Sequence, residues 1–178
     1  KKTYEKPVIS DVDLKKINMK RYYQACSEKI IIGGMNKNLE CFYDDGKYTA
    51  GKSTTIVLAG SMELKFLIAV LNSKLISFWY KTFFKSLSLA GGFIRIGNNE
   101  IKKIPLIYLD SYKQKPVIDL VDQILTVTRE NDYFQDIRKQ IKVKELMQEI
   151  DQLIYKLYGL TSDEIKIVEK ELDKWNAS

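Results

Sequence analysis

The side chains best suited to chemistry in this 178-residue sequence are the cations between residues 65 and 103. This stretch holds seven lysines or arginines and one acid, Glu100. Such an excess of positive charge predicts contact with phosphate groups, because lysine and arginine replace the counterions around a polyanion. The pair Gly91-Gly92 lies within the stretch and would let the backbone approach a groove closely. The candidates that lead into this loop are Lys81, Lys85, Ser86 and Ser88.

Arg95 follows the loop in a short β-like run, FIRI, between Ile94 and Ile96. Because side chains alternate along a strand, Arg95 is predicted to face away from both isoleucines, toward solvent or a ligand. There its guanidinium could pair with two atoms of a guanine or hold a phosphate. A surface salt bridge with Glu100 or another acid is the open alternative. Asn98, in the polar turn after the run, is a further binding candidate.

A second basic group lies near the start of the sequence, where two cations stand next to two tyrosines. Cations hold phosphates and aromatic rings stack on bases, so nucleic-acid surfaces favour this mixture. The alternative is that one tyrosine packs inward while the charges are merely solvated. The candidates here are Lys20 and Arg21, and those in the next polar turn are Asn36 and Lys37.

Catalytic constellations are missing from the sequence. It has no histidine, which excludes histidine-bound zinc and serine–histidine catalysis. Its glycine pairs lack the GxGxxG spacing of a dinucleotide cradle. Glu63-Leu64-Lys65, with Asp44 and Asp45 upstream, has the outline of a metal-dependent nuclease site. A carboxylate in the first turn of a helix also simply complements the helix dipole, so we predict no catalytic residue and no metal site.

Charge divides the chain unevenly. Residues 1–110 carry 18 lysines and arginines against 10 acids, whereas residues 111–178 carry 11 against 13. A polyanion-binding surface is therefore predicted on the first part only, the alternative being a basic domain without such a partner.

Cys26 and Cys41 lack disulfide or metal-like spacing, which favours free thiols in a reducing cytoplasm. No uncharged run approaches the ~20 residues of a membrane span, no targeting segment is present, and the start at Lys1 suggests a piece of a longer protein.

Hydrophobic periodicity predicts a mixed α/β (α+β) fold. From Met62 to Phe84 apolar residues recur every three or four positions, which predicts one long helix with a broad buried face and Ser61 as its cap. β-Branched runs predict a small twisted sheet packed on that helix. Its strands would lie at 29–35, in a hairpin within 39–51 around Asp45-Gly46, at 53–58 and at 93–96.

The last part of the chain is predicted to be helical. Helices are expected from about residue 117 to 131, from 133 to 158 with Gly159 as the cap, and from a Thr161–Glu164 capping box to about Trp175. We therefore expect a mixed α/β domain at 1–110 and a helical segment at 111–178, which packs on it or on a missing catalytic part.

Three consecutive stretches, LNSKLISFWYKTFFKS, GGFIRI and IKKIPL, carry a likeness to a known family. The KRYY lead, the KIII strand, the FYDDGKY segment and the tail IDQLIYKLYGLTSDEIKIVE extend it over most of the chain. Together they resemble the TaqI-like C-terminal specificity domain, the target recognition part of DNA methyltransferases and of fused type II restriction-modification enzymes. One departure is Ser10-Asp11, where the family often has Arg-Gly before the aspartate.

This resemblance implies that residues 1–110 are a DNA target recognition domain. It would read double-stranded DNA for a methyltransferase, and sometimes a nuclease, in the same polypeptide. S-adenosylmethionine, and Mg²⁺ where a nuclease is present, would then be bound by those parts and not by this chain. Because recognition residues differ between members, the resemblance assigns none of the candidates to a base. The competing class is a protein-interaction module whose basic part binds an acidic partner.

Overall fold

The structure is a computed structural model that describes residues 10–176, without the side chains of Asp11, Ala90 and Asn176. Among these residues it has eight α-helices and five short β-strands, which confirms the mixed α/β class. The first part contains α1 (Asp11–Ile17), α2 (Met19–Cys26), β1 (Glu28–Gly33), β2 (Met35–Asn36), β3 (Cys41–Asp45), β4 (Thr54–Leu58), α3 (Leu64–Asn72), α4 (Lys74–Phe83), β5 (Ile94–Arg95) and α5 (Asn98–Ile101). The helical segment contains α6 (Ser111–Thr128), α7 (Ile137–Leu157) and α8 (Ser162–Asn176).

Three strands form an antiparallel sheet in the order β3-β1-β4. Side chains alternate along β1, so Ile30 and Ile32 lie on the face that packs on α3, where both are fully buried. Lys29 and Ile31 point to the opposite face. The strands predicted from the β-branched runs are therefore confirmed for β1 and β4.

The hairpin predicted around Asp45-Gly46 is wrong, because β3 pairs with β1 and not with residues 47–51. Gly46 does adopt the positive φ of a turn, 88°. Beyond it, the Asp44 carboxylate accepts the backbone N–H groups of Lys47 and Tyr48, at 2.9 and 3.2 Å. These N–H groups are thus not available to a returning strand.

A buried ion pair crosses this sheet from Lys29 to Asp44, which face each other in neighbouring strands. The two residues are 0% and 1% exposed. The Lys29 ammonium also donates to the carbonyl oxygens of Ala25, at 2.8 Å, and Ser27, at 3.1 Å. A buried charge is costly unless it is fully paired, so this network fastens the end of α2 to the sheet.

The long helix predicted from Met62 to Phe84 is two helices, because the chain is extended at Ser73 (φ −67°, ψ 154°). The Ser73 hydroxyl accepts the N–H of Ile76 at 3.3 Å and donates to a carbonyl of α3 at 2.7 Å. From α7, the Asp151 carboxylate accepts the N–H of Lys74 at 2.8 Å. The groups that a continuous helix would pair internally therefore find other partners, and α4 starts as a separate helix.

Asn72, the last residue of α3, covers part of the outer edge of β3. Its side-chain amide accepts the backbone N–H of Cys41 at 3.0 Å and donates to the Cys41 carbonyl at 2.9 Å. An unpaired strand edge is a template for pairing with another chain, and this contact occupies one residue of it. Burial raises the pKa of the Cys41 thiol to about 12, so the thiol is protonated at neutral pH.

The strand predicted in FIRI does not join the three-stranded sheet. β5 pairs with β2 in a separate antiparallel ribbon, in which Asn36 lies opposite Ile94. The chain leaves β1 through Gly34, whose N–H donates to the Ser53 carbonyl at 3.0 Å. A Cβ at Gly34 would lie 2.5 Å from that oxygen, so glycine is what lets the chain pass close to β4 and form the ribbon.

The helical segment packs on the first part of the chain. α6 contacts α3 and α7, while α8 contacts α4. Four buried residues of the segment belong to the same apolar cluster as the sheet residues Ile30 and Ile32; they are Val117, Val121, Ile150 and Ile154. One hydrophobic core therefore extends across both parts.

The boundaries of the last helices differ in part from the prediction. α6 begins at Ser111 and contains Pro116, which the sequence predicts at the helix start. Its buried Gln114 accepts the N–H of Glu63 at 3.2 Å, so the first turn of α6 caps α3 where Ser61 is predicted to do so. α7 begins at Ile137, later than predicted.

The signals at the end of α7 and the start of α8 are confirmed. Gly159 has a φ of 72°, as a helix-terminating glycine requires. The Glu164 carboxylate accepts the N–H of Thr161 at 2.8 Å, which completes the predicted capping box.

Candidate nucleic-acid interface

Most of the sequence candidates lie in segments that contact the β2–β5 ribbon. The Tyr80 hydroxyl donates to the Ile94 carbonyl at 3.3 Å, which holds the last turns of α4 against β5. A 3₁₀ turn at Lys85–Leu87 follows α4, and Ser88 then bridges to Ile94. We call the outer part of these segments the ribbon surface; its residues are Met35, Lys37, Lys81, Lys85, Ser86, Leu87, Ser88, Leu89, Phe93, Arg95 and Asn98.

The glycine loop of the ribbon surface is tightly closed. The Leu89 N–H donates to the Phe93 carbonyl at 2.7 Å. Between them, Gly91 and Gly92 have φ values of 80° and 76°, which residues with a side chain rarely adopt. The loop therefore projects small residues at its tip and larger ones, Leu89 and Phe93, at its base.

Lys85 and Arg95 have no ion-pair partner among the described residues 10–176, and both are exposed. Arg95 points away from the buried Ile94, as the strand alternation predicts. Glu100 is engaged elsewhere, because its carboxylate accepts the Gly97 N–H at 2.9 Å at the start of α5. The predicted alternative, a salt bridge between Arg95 and Glu100, is therefore wrong.

Lys37 and Lys81 each lie over an aromatic ring. The Lys37 Nζ is 5.9 Å from the centroid of Phe93, and the Lys81 Nζ is 5.5 Å from the centroid of Trp175 in α8. Burial lowers the pKa of the half-buried Lys81 ammonium, and the positive charge of Lys37 lowers it further. Sequence reasoning missed both rings. Phe93 has a usable signal, its position beside the glycine pair, but no sequence pattern places Trp175 next to Lys81.

Exposed apolar side chains lie on the same segments of the chain as these cations. Five of them are 41–54% exposed: Met35, Phe83, Leu87, Leu89 and Phe93. Rings and methyl groups can contact bases while lysine and arginine contact phosphates. The combination gives this face both kinds of group that nucleic-acid binding uses.

The polar candidates differ in how accessible they are. Ser86, Ser88 and Asn98 are exposed. Asn36 is half-buried, and among the described residues its buried Nδ2 has no hydrogen-bond partner. A Cβ on Gly33 would lie 2.2 Å from that nitrogen. The Asn36 amide is thus packed against the connection between β1 and β2 and does not project freely.

Lys20 and Arg21 lie on a different element, α2, which packs on α1. Both are exposed, and the Arg21 guanidinium approaches the Ala50 carbonyl at 3.5 Å. The next residue of α2, Tyr22, lies near another cation, since the Lys15 ammonium is 5.5 Å from its ring centroid. The structure therefore places seven of the ten candidates on the ribbon surface, turns the Asn36 side chain to the buried side of the ribbon with Ile94, and leaves the other two on a separate helix.

The residues that outline a nuclease site in the sequence do not come together in the structure. Lys65 pairs with Asp122 at 2.6 Å, and Asp44 is buried against Lys29. Across the described ranges, no group of three or more Cys, Asp or Glu side chains is placed to hold a metal ion. Within the same ranges, no helix combines the length and the apolar character that crossing a membrane requires.

A groove of about 880 Å³ lies on another side of the molecule, between β3, α3, α6 and α7. Its walls include the apolar residues Ile68 and Leu125. The two cations in its walls, Lys47 and Arg129, both pair with Asp45 at 3.0 Å. The groove therefore lacks the unpaired positive charge of the ribbon surface.

Residues 3–106 match the sequence model of the TaqI-like C-terminal specificity domain, which is more than half of the chain. The chain belongs to this family. The resemblance seen in the sequence is thus confirmed over residues 3–106, whereas the tail at 150–169 lies outside the match. A search of curated proteins finds no match. Specificity domains of this family support DNA sequence recognition in restriction-modification enzymes. The matched range contains the whole ribbon surface and ends before α6.

Proposed function

We propose that this specificity domain recognises a sequence in double-stranded DNA for a restriction-modification methyltransferase, with the ribbon surface as its binding face. The observation that carries the proposal is the absence of acidic partners, among residues 10–176, for the cations of this face. Lys37, Lys81, Lys85 and Arg95 lie together in the part of the chain that matches the family. An unpaired positive face gains free energy by releasing counterions from a duplex.

The roles within this face follow from side-chain chemistry. Arg95 is exposed on a strand and has a fork of donors that fits the O6 and N7 atoms of guanine, so we assign it to base reading. Lys85 has a single flexible ammonium and suits a phosphate. The exposed Ser86, Ser88 and Asn98 are short donors that fix the position of the backbone.

We further propose that the catalytic groups lie elsewhere in the same polypeptide, in a methyltransferase with or without a nuclease. Support comes from the sequence, whose three prolines, Pro7, Pro105 and Pro116, are isolated from one another. An Asn/Asp-Pro-Pro-aromatic motif is therefore missing, as is a glycine-rich cofactor loop. The residues present do not fit S-adenosylmethionine or a Mg²⁺ site, and no step of catalysis is assigned to them. The two free thiols, Cys26 and Cys41, support a cytoplasmic setting.

The test is duplex binding by the chain and by matched variants, after selection of a preferred sequence from random duplexes. Lys85→Ala should weaken binding to every duplex and reduce the slope of log K against log salt by about one unit. Arg95→Ala should cost about 1–3 kcal/mol on the selected sequence and little on random DNA. The control is Lys142→Ala, which removes an exposed lysine of α7 that also has no ion-pair partner among residues 10–176.

The competing function, an acidic protein partner, predicts a different outcome. Poly-glutamate would then compete as well as the duplex, and selection would return no preferred sequence. Equal effects of Lys85→Ala and Lys142→Ala would also contradict the ribbon surface as the DNA-binding face.

A further inference from the structure

Two lysines of the ribbon surface, Lys37 and Lys81, come from different elements that both contact β5. Tyr80, at the end of α4, donates to the carbonyl of Ile94, and Ile94 pairs with Asn36 across the ribbon. Lys81 directly follows Tyr80 and Lys37 directly follows Asn36. These contacts place both lysines next to β5, close enough for the charge of Lys37 to act on the Lys81 ammonium.

Each ammonium is supported by an aromatic ring. Phe93 lies under Lys37, and Trp175 lies under Lys81. The Trp175 ring is itself held by stacking on Phe78, with centroids 6.0 Å apart. A ring face attracts a cation, but it does not neutralise it.

Two like charges held together are unfavourable unless an anion lies between them. Neither Lys37 nor Lys81 has an ion-pair partner among the residues that the structure describes. Burial lowers the pKa of Lys81, and the positive charge of Lys37 lowers it further. A negative group between them would turn the repulsion into two attractions.

We propose that Lys37 and Lys81 form a two-lysine clamp that binds a single phosphate group, with Phe93 and Trp175 as its supports. The inference rests on the proposed function, in which this phosphate belongs to the DNA backbone. It assigns to Trp175, far from the family match in sequence, the role of a positioning residue that holds Lys81 toward the ligand.

The first experiment measures salt slopes for duplex binding in Lys37→Ala, Lys81→Ala and the double variant. Because both lysines are needed to hold the one phosphate, each single variant and the double variant should lose the same amount of slope, about one unit. The matched control is the pair Lys81→Ala and Lys85→Ala, which removes two contacts and should lose about two units. A loss of about two units for Lys37 and Lys81 together, or no loss, would overturn the clamp.

Trp175 needs a readout that a merely structural role would not change. Trp175→Phe keeps a ring under Lys81 and should retain the wild-type slope. Trp175→Leu should lower the slope as Lys81→Ala does, while the combination of Trp175→Leu and Lys81→Ala should lower it no further. Equal slopes for the Phe and Leu variants would show that the ring does not position the lysine.

A second experiment separates the clamp from the proposed function. Inorganic phosphate is titrated into the protein while NMR follows the Lys81 ammonium and the indole N–H of Trp175, with Trp79 as the internal reference. Saturable shifts that disappear in Lys37→Ala support the clamp, and they would do so even if the chain bound no duplex, making free phosphate the ligand. Shifts that do not saturate, or that persist in Lys37→Ala, contradict it whether or not duplex binding is observed.

Discussion

The ribbon surface and the helical segment differ in whether their lysines and arginines are paired with carboxylates. In the helical segment six of the eleven lysines and arginines pair with a carboxylate; the pairs are Lys115–Asp119, Arg129–Asp45, Arg138–Asp136, Lys139–Glu130, Lys166–Asp163 and Lys174–Glu171. On the ribbon surface no such pair occurs among the described residues. Exposed pairs contribute about 0–1 kcal/mol each, so their main effect is to cancel the local field. The absence of carboxylate partners, more than the number of lysines, therefore distinguishes the surface that we propose binds DNA.

The buried pair of Lys29 and Asp44 is the extreme case of a satisfied charge, and it gives the largest expected effect. Lys29→Met leaves the Asp44 carboxylate buried without its partner, so we expect the free energy of unfolding to fall by about 3–5 kcal/mol. Urea unfolding followed by circular dichroism measures this loss. In the variant that remains folded, the salt slope for DNA should be unchanged, because this lysine does not face the ligand.

The matched control for this prediction is Lys47→Met. Lys47 is exposed and pairs with Asp45 at 3.0 Å, so its loss should cost about 1 kcal/mol or less. Similar losses for the two variants would contradict the distinction between buried and exposed pairs.

Acid should weaken the fold, in part through three carboxylates of the helical segment. Lys139 and Arg138 hold the pKa values of Asp132 and Asp136 below the usual range, and the backbone N–H of Thr161 does the same for the pKa of Glu164. A carboxyl group whose folded pKa is lowered stabilises the fold above its unfolded pKa of about 4, and that contribution is lost as the pH falls. We therefore expect the thermal midpoint to decrease between about pH 5 and pH 2.

Glu164→Gln sharpens this prediction. The amide can still accept the Thr161 N–H but does not titrate, so stability at pH 7 should change little while the acid dependence becomes shallower. An acid dependence identical to that of the wild type would mean that this cap does not contribute to it.

The smallest expected effect comes from charge reversal within the helical segment. Lys166 pairs with Asp163 at the start of α8, about 14 Å along the helix from Trp175. Lys166→Glu should leave duplex affinity and salt slope unchanged within error. A loss as large as that of Lys85→Ala would place DNA on the helical segment and remove the contrast with the ribbon surface.

The sequence was sufficient to predict secondary structure and exposure where these depend on residues close together in the chain. β-Branched runs predicted β1 and β4, and the strand alternation predicted the exposure of Arg95. Side-chain partners distant in the chain explain the failures. The break at Ser73 depends in part on Asp151, and the failed hairpin depends on how Asp44 is held.

The candidate site shows the same limit. Residue type was enough to propose the cations of the loop as candidates, because lysine and arginine are the side chains that pair with phosphate. Their partners were not predictable, since whether Lys81 has a carboxylate or a ring beside it is decided by α8. The sequence also grouped Lys20 and Arg21 with the others by type, although α2 holds them on another helix.

The core shared by the two parts has a consequence for exchanging recognition modules between enzymes. A transplant that took only residues 3–106 would leave Leu71 and Ile76, both buried, without the neighbours that α6 and α7 supply. It would also remove Asp151 from the start of α4 and Trp175 from beside Lys81. The unit that is transplanted to transfer specificity should therefore extend through α8, with its first junction placed before α1.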